Sequence, residues 1–250
     1  MTTKNLSFLG LADVYLKLYD GSGPAVHVGS VSQCDITHSE ENLRQRNNGR
    51  DGGTLNTVAR LDRVGVAITF QSLSIPNLAR ALRGTISDVA ADSVTDEEHT
   101  AYKGALIRTE FMDISSVTVT DDEATPNPFT EGTDFRVTGA GIVILEDGTI
   151  TDETTLLISY DYGAQRVVEA LTEGQKEYTL YFDGLNEADG NRNVAVDIHR
   201  IKFGLPETLQ MISDEYATLA TTGEALLDPN QTGQGSSKFY RWAYPTASAA

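Results

Sequence analysis

At 250 residues and 27.1 kDa the chain is long enough for one large or two small domains, and 40% hydrophobic with 8% aromatic residues excludes low-complexity disorder for most of it. Its net charge of −17 is uneven: residues 1–84 hold 9 Lys+Arg against 7 Asp+Glu, whereas residues 85–250 hold 10 against 29. A single cysteine, Cys34, rules out an intrachain disulfide; no apolar run approaches the ~18–20 residues of a membrane helix, and MTTKNLSFLG lacks the pattern of a cleaved leader, so neither secretion by a signal nor a membrane span is expected.

Strand signals dominate. Val14, Leu16 and Leu18 alternate with Tyr15, Lys17 and Tyr19, a turn follows at Asp20–Gly23, and further short strands are expected up to Cys34 and Ile36. A long polar excursion runs from about His38 to Asn56 and reads as a loop carrying Arg44, Arg46 and Arg50. In LDRVGVAITFQ, Val64, Val66, Ile68 and Phe70 share one strand face. SIPNLARALRG reads as the one helix: Ser74 caps, Pro76 fits the first turn, Ile75, Leu78, Ala79 and Leu82 form the apolar stripe, and Gly84 stops it.

The acidic stretch 85–100 reads as an exposed linker. From 108 to 161 a separate β pattern appears, with Val117 and Val119, Phe135 and Val137, a GIVILEDG hairpin signal, then Leu156, Ile158 and Tyr160; it is either an inserted module or an extension of the main sheets. Tyr178, Leu180 and Phe182 then pair with Val194, Val196 and Ile198 as a long antiparallel hairpin. Leu209, Met211 and Ile212 form a third apolar run, and Gly223 precedes Leu226 and Leu227. After a polar linker, FYRWAY concentrates four aromatics that fold back as a strand or dock on a neighbour.

The strand order of residues 175–228, with the opening GLADVYLKLYDGSGPAVHVGSVSQCDITHSEENLRQRNNGRDGG, resembles the major tail tube proteins of long-tailed bacteriophages, over roughly residues 10–84 and 165–228. That resemblance implies a mainly β fold, an antiparallel β-sandwich or half-barrel with one short flanking α-helix, closing into a β-barrel ring on hexamerisation. The tube domain would comprise 1–107 and 162–250, with 108–161 as a small inserted β module on the outer surface. In the family the polar excursion contacts neighbouring subunits and the next ring, which makes Arg44, Arg46 and Arg50 candidate interface residues; solvated loop charges are the plainer alternative. The implied partners are further copies of the chain, tape measure, tail terminator and tail tip proteins, and double-stranded DNA as a transient passenger. The implied location is the virion tail, assembled in the host cytoplasm.

The acidity is then either a solubility device or a channel wall that repels phosphates instead of gripping them. Chemistry is not indicated. His27, His38, His99 and His199 are far apart, DGTITDE and DGLNEADGN miss the calcium-loop pattern, and no phosphate-binding glycine motif or nucleophile elbow occurs. Cys34 reads as a small packed thiol. No catalytic, cofactor or metal residue is therefore assigned, and a non-enzymatic structural protein is expected. The alternatives are a tube or baseplate component of a contractile injection system and a carbohydrate-binding β-sandwich.

Overall fold

Period-two alternation becomes an element wherever one strand face meets a core, and this accounts for most of the fold. The computed structural model describes residues 7–245. The chain begins with β1 (Gly10–Leu18), the two-residue β2 (Val26–His27), β3 (Val31–Arg46), β4 (Thr54–Phe70) and α1 (Ile75–Ala81). There follow β5 (Thr85–Val89), β6 (Asp92–Thr100), β7 (Leu106–Arg108), β8 (Ile114–Asp121), β9 (Pro128–Phe129), β10 (Phe135–Thr138), β11 (Gly141–Ile144), β12 (Thr155–Tyr162) and β13 (Gln165–Glu169). The chain closes with β14 (Glu177–Asn186), β15 (Arg192–Phe203), β16 (Leu219–Ala225) and β17 (Tyr240–Ala243). It divides into a discontinuous unit, reaching to Thr85 and resuming at Val168, and an inserted unit, Ile86–Val167; β5 and β13 pair where the chain passes between them.

The discontinuous unit is built on one antiparallel sheet in the order β2-β1-β14-β15-β16-β4-β3, with β17 also paired to β15. The sheet is not closed into a barrel. Val14 and Leu16, Leu180, Val194, Val196 and Ile198, and Val64, Val66, Ile68 and Phe70 all belong to one buried cluster, so both flanks of the sheet contribute to the same core. The β14–β15 hairpin turns through a single 3₁₀ turn, Glu187–Asp189, ended by Gly190 at φ 65. α1 has Ser74 at its N-cap, without a side-chain cap bond, and Pro76 in the first turn. Its fully buried residues are Asn77, Ala79 and Ala81; of the expected stripe Ala79 is among them, while Ile75, Leu78 and Leu82 are half-buried, Leu78 against the core. Asn77 Nδ2 donates to the Val28 and Ser72 carbonyls at 2.6 and 2.9 Å, and its Oδ1 accepts from Arg80, so a buried amide ties the helix down. Gly84 ends the helix at a place where a Cβ would collide with the Glu169 carbonyl.

Two sequence expectations change, and one left open is decided. The stretch 85–100 is not a linker: it forms β5 and β6, and β6 pairs with β12. Its carboxylates are those of a solvated edge strand, where charge protects an unpaired edge; high polarity there concealed a strand. Met211 and Ile212 form no third strand and instead stand almost fully exposed in residues 204–218; the last sheet partner is β16, with Leu219 buried. The aromatic tail folds back in cis, β17 pairing with β15 so that Val196 opposes Trp242.

The inserted unit, Ile86–Val167, is wider than the 108–161 expected. It holds a three-stranded sheet, β10-β11-β7, and a four-stranded sheet, β6-β12-β8-β9, around its own core of Ile107, Val119, Phe135, Ile142, Ile144, Leu156, Ile158 and their neighbours. GIVILEDG contributes β11, which pairs with β10 and β7. Gly141, at φ 142, passes so close to the Ile107 carbonyl that no side chain fits. Asp134, 5% exposed, accepts bonds from the Thr130 and Thr149 amides and the Thr149 hydroxyl, which hold its carboxyl below the usual carboxylate range.

At the base of the β14–β15 hairpin, Arg200 donates to both oxygens of Glu177 at 2.6 and 2.8 Å, and Lys202 Nζ stands 3.0 Å away. The guanidinium lies 5.1 Å over the Tyr19 ring, and Tyr19 donates to Asp228 at 2.6 Å, drawing the segment after β16 against the end of β1. The Arg200 bonds in particular bring the Glu177 carboxyl down from 4.5 to about 2. A depressed carboxylate stabilises the fold above its unfolded pKa and loses that contribution as pH falls from about 4.5 through 2. Glu177→Gln is expected to lose about 1–3 kcal/mol near neutrality. Urea titrations at pH 7 and at pH 2.5 should show the deficit shrinking in acid; an equal deficit at both would refute the linkage. Because the discontinuous core contains no residue of the insertion, replacing residues 86–167 with a Gly/Ser linker should leave a cooperatively unfolding β protein by circular dichroism.

Candidate assembly surface

The excursion from His38 to Asn56 is not a loop. β3 and β4 pair along it almost to the tip, from Val31 opposite Phe70 to Arg46 opposite Thr54, with register shifts at Ser39/Glu40 and Gln45/Arg46. Only residues 47–53 turn. The buried face ends at Val64; every residue from 54 to 63 on β4 and from 40 to 46 on β3 is exposed. At ~3.4 Å per residue, the ribbon therefore runs about 34 Å past the last core residue. Strand form was hidden because Leu55, Val58 and Leu61 recur every third position, where no buried face enforces alternation.

Each face of the ribbon carries apolar groups. Leu43 lies directly opposite Val58, flanked by the cross-strand neighbours Glu41 and Arg60 on one side and Gln45 and Asn56 on the other. Leu43, Leu55, Val58 and Leu61 are 41%, 62%, 48% and 49% exposed. Arg44 opposes Thr57, Arg46 opposes Thr54, and Arg50 sits in the turn, so the structure brings the three arginines onto one protruding element. Residues 43–60 hold four arginines and one acid, Asp51. A two-stranded ribbon with both faces in water is marginal by itself, and an uncovered edge such as that of β3 invites pairing with another chain.

The remaining titratable groups read as structural. Cys34 opposes Ile68 in the ladder; burial above all, with help from Asp35, pushes its thiol up to about 11, so it is protonated and unreactive at neutral pH. In the inserted unit Glu97 accepts from the Tyr160 hydroxyl and the Glu110 amide and contacts His99 Nε2 at 2.6 Å. Desolvation and the bond to Glu97 raise the Tyr160 hydroxyl to about 12, which keeps it a hydrogen-bond donor. His27 and His38 face Asp13 and Tyr240 respectively. Among the described residues, no group of three or more His, Cys, Asp or Glu side chains is placed to hold a metal ion.

The charge divides with the units. The inserted unit holds 17 Asp+Glu against 4 Lys+Arg, a net −13, whereas the discontinuous unit holds 19 against 15, a net −4. The acidity that the sequence assigns to its later part is therefore mostly the insertion's.

A family match spans nearly all of this architecture, from residue 7 to residue 243. The chain belongs to the family described as "Protein of unknown function UCP028589". A comparison with curated proteins gives no match. The matched span takes in the ribbon, the whole insertion and nearly all of the discontinuous unit.

Glu40 and Leu61 are cross-strand partners, so an Asn-Gly turn joining them in place of residues 41–60 would close the ribbon at its root. The shortened protein is expected to stay within about 1 kcal/mol of the parent in stability, since no core residue is lost. Urea titration measures this; a larger loss, or an unfolded product, would contradict it.

Proposed function

We propose that this protein is a non-enzymatic structural subunit, the tail tube protein of a long-tailed bacteriophage, stacking as hexameric rings around a channel for double-stranded DNA. The observation that carries the proposal is the bare end of the β3–β4 ribbon, residues 40–46 and 54–63, with apolar and cationic groups on both faces and unpaired edges. Such an element contributes nothing to the monomer's core and has the form of an arm for other copies. The opposite edge of the sheet is equally incomplete, because β2 covers β1 only at Tyr15 and Leu16. Two open edges on one antiparallel sheet suit cyclic closure, in which each copy supplies the strand its neighbour lacks. Charges along β3, including Asp35, Glu40, Glu41, Arg44 and Arg46, keep the free chain from pairing indiscriminately.

The wall of the proposed channel is acidic. Carboxylates still exceed cations in the discontinuous unit alone, and on the outward face of its sheet Asp13 lies directly opposite Asp183, with Asp197 on the adjoining strand. A wall of this kind does not hold phosphates by counterion release, so DNA slides past it. The chain's companions would be its own copies, with tape measure, terminator and tip proteins at the ends of the tube, all within a virion tail built in the host cytoplasm.

Purified protein is expected to form tubes of uniform diameter in negative stain as concentration rises, and a structure of the ring should show lumen-facing carboxylates outnumbering Lys and Arg. Monomer at every concentration would overturn the tube; a neutral or basic lumen would overturn the wall.

A further inference from the structure

A second surface remains unexplained. Residues 204–218, between β15 and β16, form no regular structure, yet Met211, Ile212 and Tyr216 are 83%, 97% and 100% exposed. Leu209 packs against the core from the same loop, so its root is anchored while its crest presents apolar side chains to water. The segment carries Glu207, Asp214 and Glu215 and no Lys or Arg, and Asp214, Glu215 and Tyr216 line an open depression. Its chemistry is the counterpart of the ribbon: apolar groups ringed by acids in one place, apolar groups ringed by arginines in the other.

Topology forbids the two from meeting within one chain. The loop lies at the Phe70 end of β4, because Leu219, which follows it, pairs with Phe70. The ribbon tip lies beyond Thr54, at the other end of the same 17-residue strand, about 55 Å away at ~3.4 Å per residue. Complementary patches at opposite ends of one element make a heterologous, head-to-tail contact, which propagates along a stack unless its rotation closes a ring.

We infer that the 204–218 loop is the seat for the β3–β4 ribbon of a second copy of this chain. Met211, Ile212 and Tyr216 cover the Leu43–Val58 pair or its Leu55 and Leu61 counterparts on the other face, while Asp214 and Glu215 meet Arg44 and Arg46. The inference rests on the tube reading and specifies the contact that stacks one ring on the next.

Two charge-reversed proteins test it, R44E/R46E and D214R/E215R, both altered only at exposed positions and both checked for folding by circular dichroism. Each alone is expected to raise the concentration needed for polymerisation at least about tenfold. Mixed in equal amounts they should polymerise near the parent threshold, because each variant's ribbon then matches the other's loop. If the parent polymerises and D214R/E215R does so equally well, or if the mixture recovers nothing, the seat lies elsewhere and the tube reading stands. If the parent stays monomeric at all concentrations, the tube reading fails and this contact with it.

Discussion

The discontinuous unit depends on the inward face of β15. Val194, Val196, Ile198 and Ile201 are each under 5% exposed, and the strand carrying them pairs with β14, β16 and β17. At ~25 cal/mol per Å² of apolar area, four such side chains contribute on the order of 6–10 kcal/mol of transfer free energy, comparable to the net stability of a whole domain. Every other strand is placed by reference to this one. β14 brings β1, β16 brings β4, and β4 brings β3. The ribbon is aimed away from the core only because the last members of that series outrun the apolar ladder that holds their roots.

Division of labour between the units follows from where each spends its side chains. The insertion has its own core and most of the negative charge, with glycine and buried aspartate settling its tightest turns. The discontinuous unit is closer to electroneutral and carries the large exposed apolar groups of the ribbon and the 204–218 loop. An acidic module supplies colloidal repulsion to the chain that carries it.

How much of this was legible depended on whether a core stood behind the residues concerned. Val64 to Phe70, Tyr178 to Phe182 and Val194 to Ile198 could be read as strands because burial on one face forces alternation. The ribbon could not, since with water on both sides Leu55, Val58 and Leu61 obey no period of two, and the same polarity disguised β6. Met211 and Ile212 failed in the opposite sense: hydrophobicity suggested a strand where no partner strand waits. Arg44, Arg46 and Arg50 were singled out by their charge and by the family resemblance of the segment that carries them, but the apolar groups beside them needed coordinates, as did Asn77, whose role rests on two carbonyls brought close by the fold.

The register of β1 on β14, Gly10 against Asn186, also orders events in time. β1 meets the two-residue β2 at once but cannot pair with β14 until Tyr178, 160 residues after Leu18, has been made, and β4 waits similarly, 149 residues from Phe70 to Leu219, for β16. β3 and β4, by contrast, are joined by a short turn and meet at once, and the insertion can condense around its own core while the main sheet is unfinished. A nascent chain thus displays its arm long before residues 204–218 exist. Under the inferred contact, linkage between nascent arms would await the later synthesis of residues 204–218.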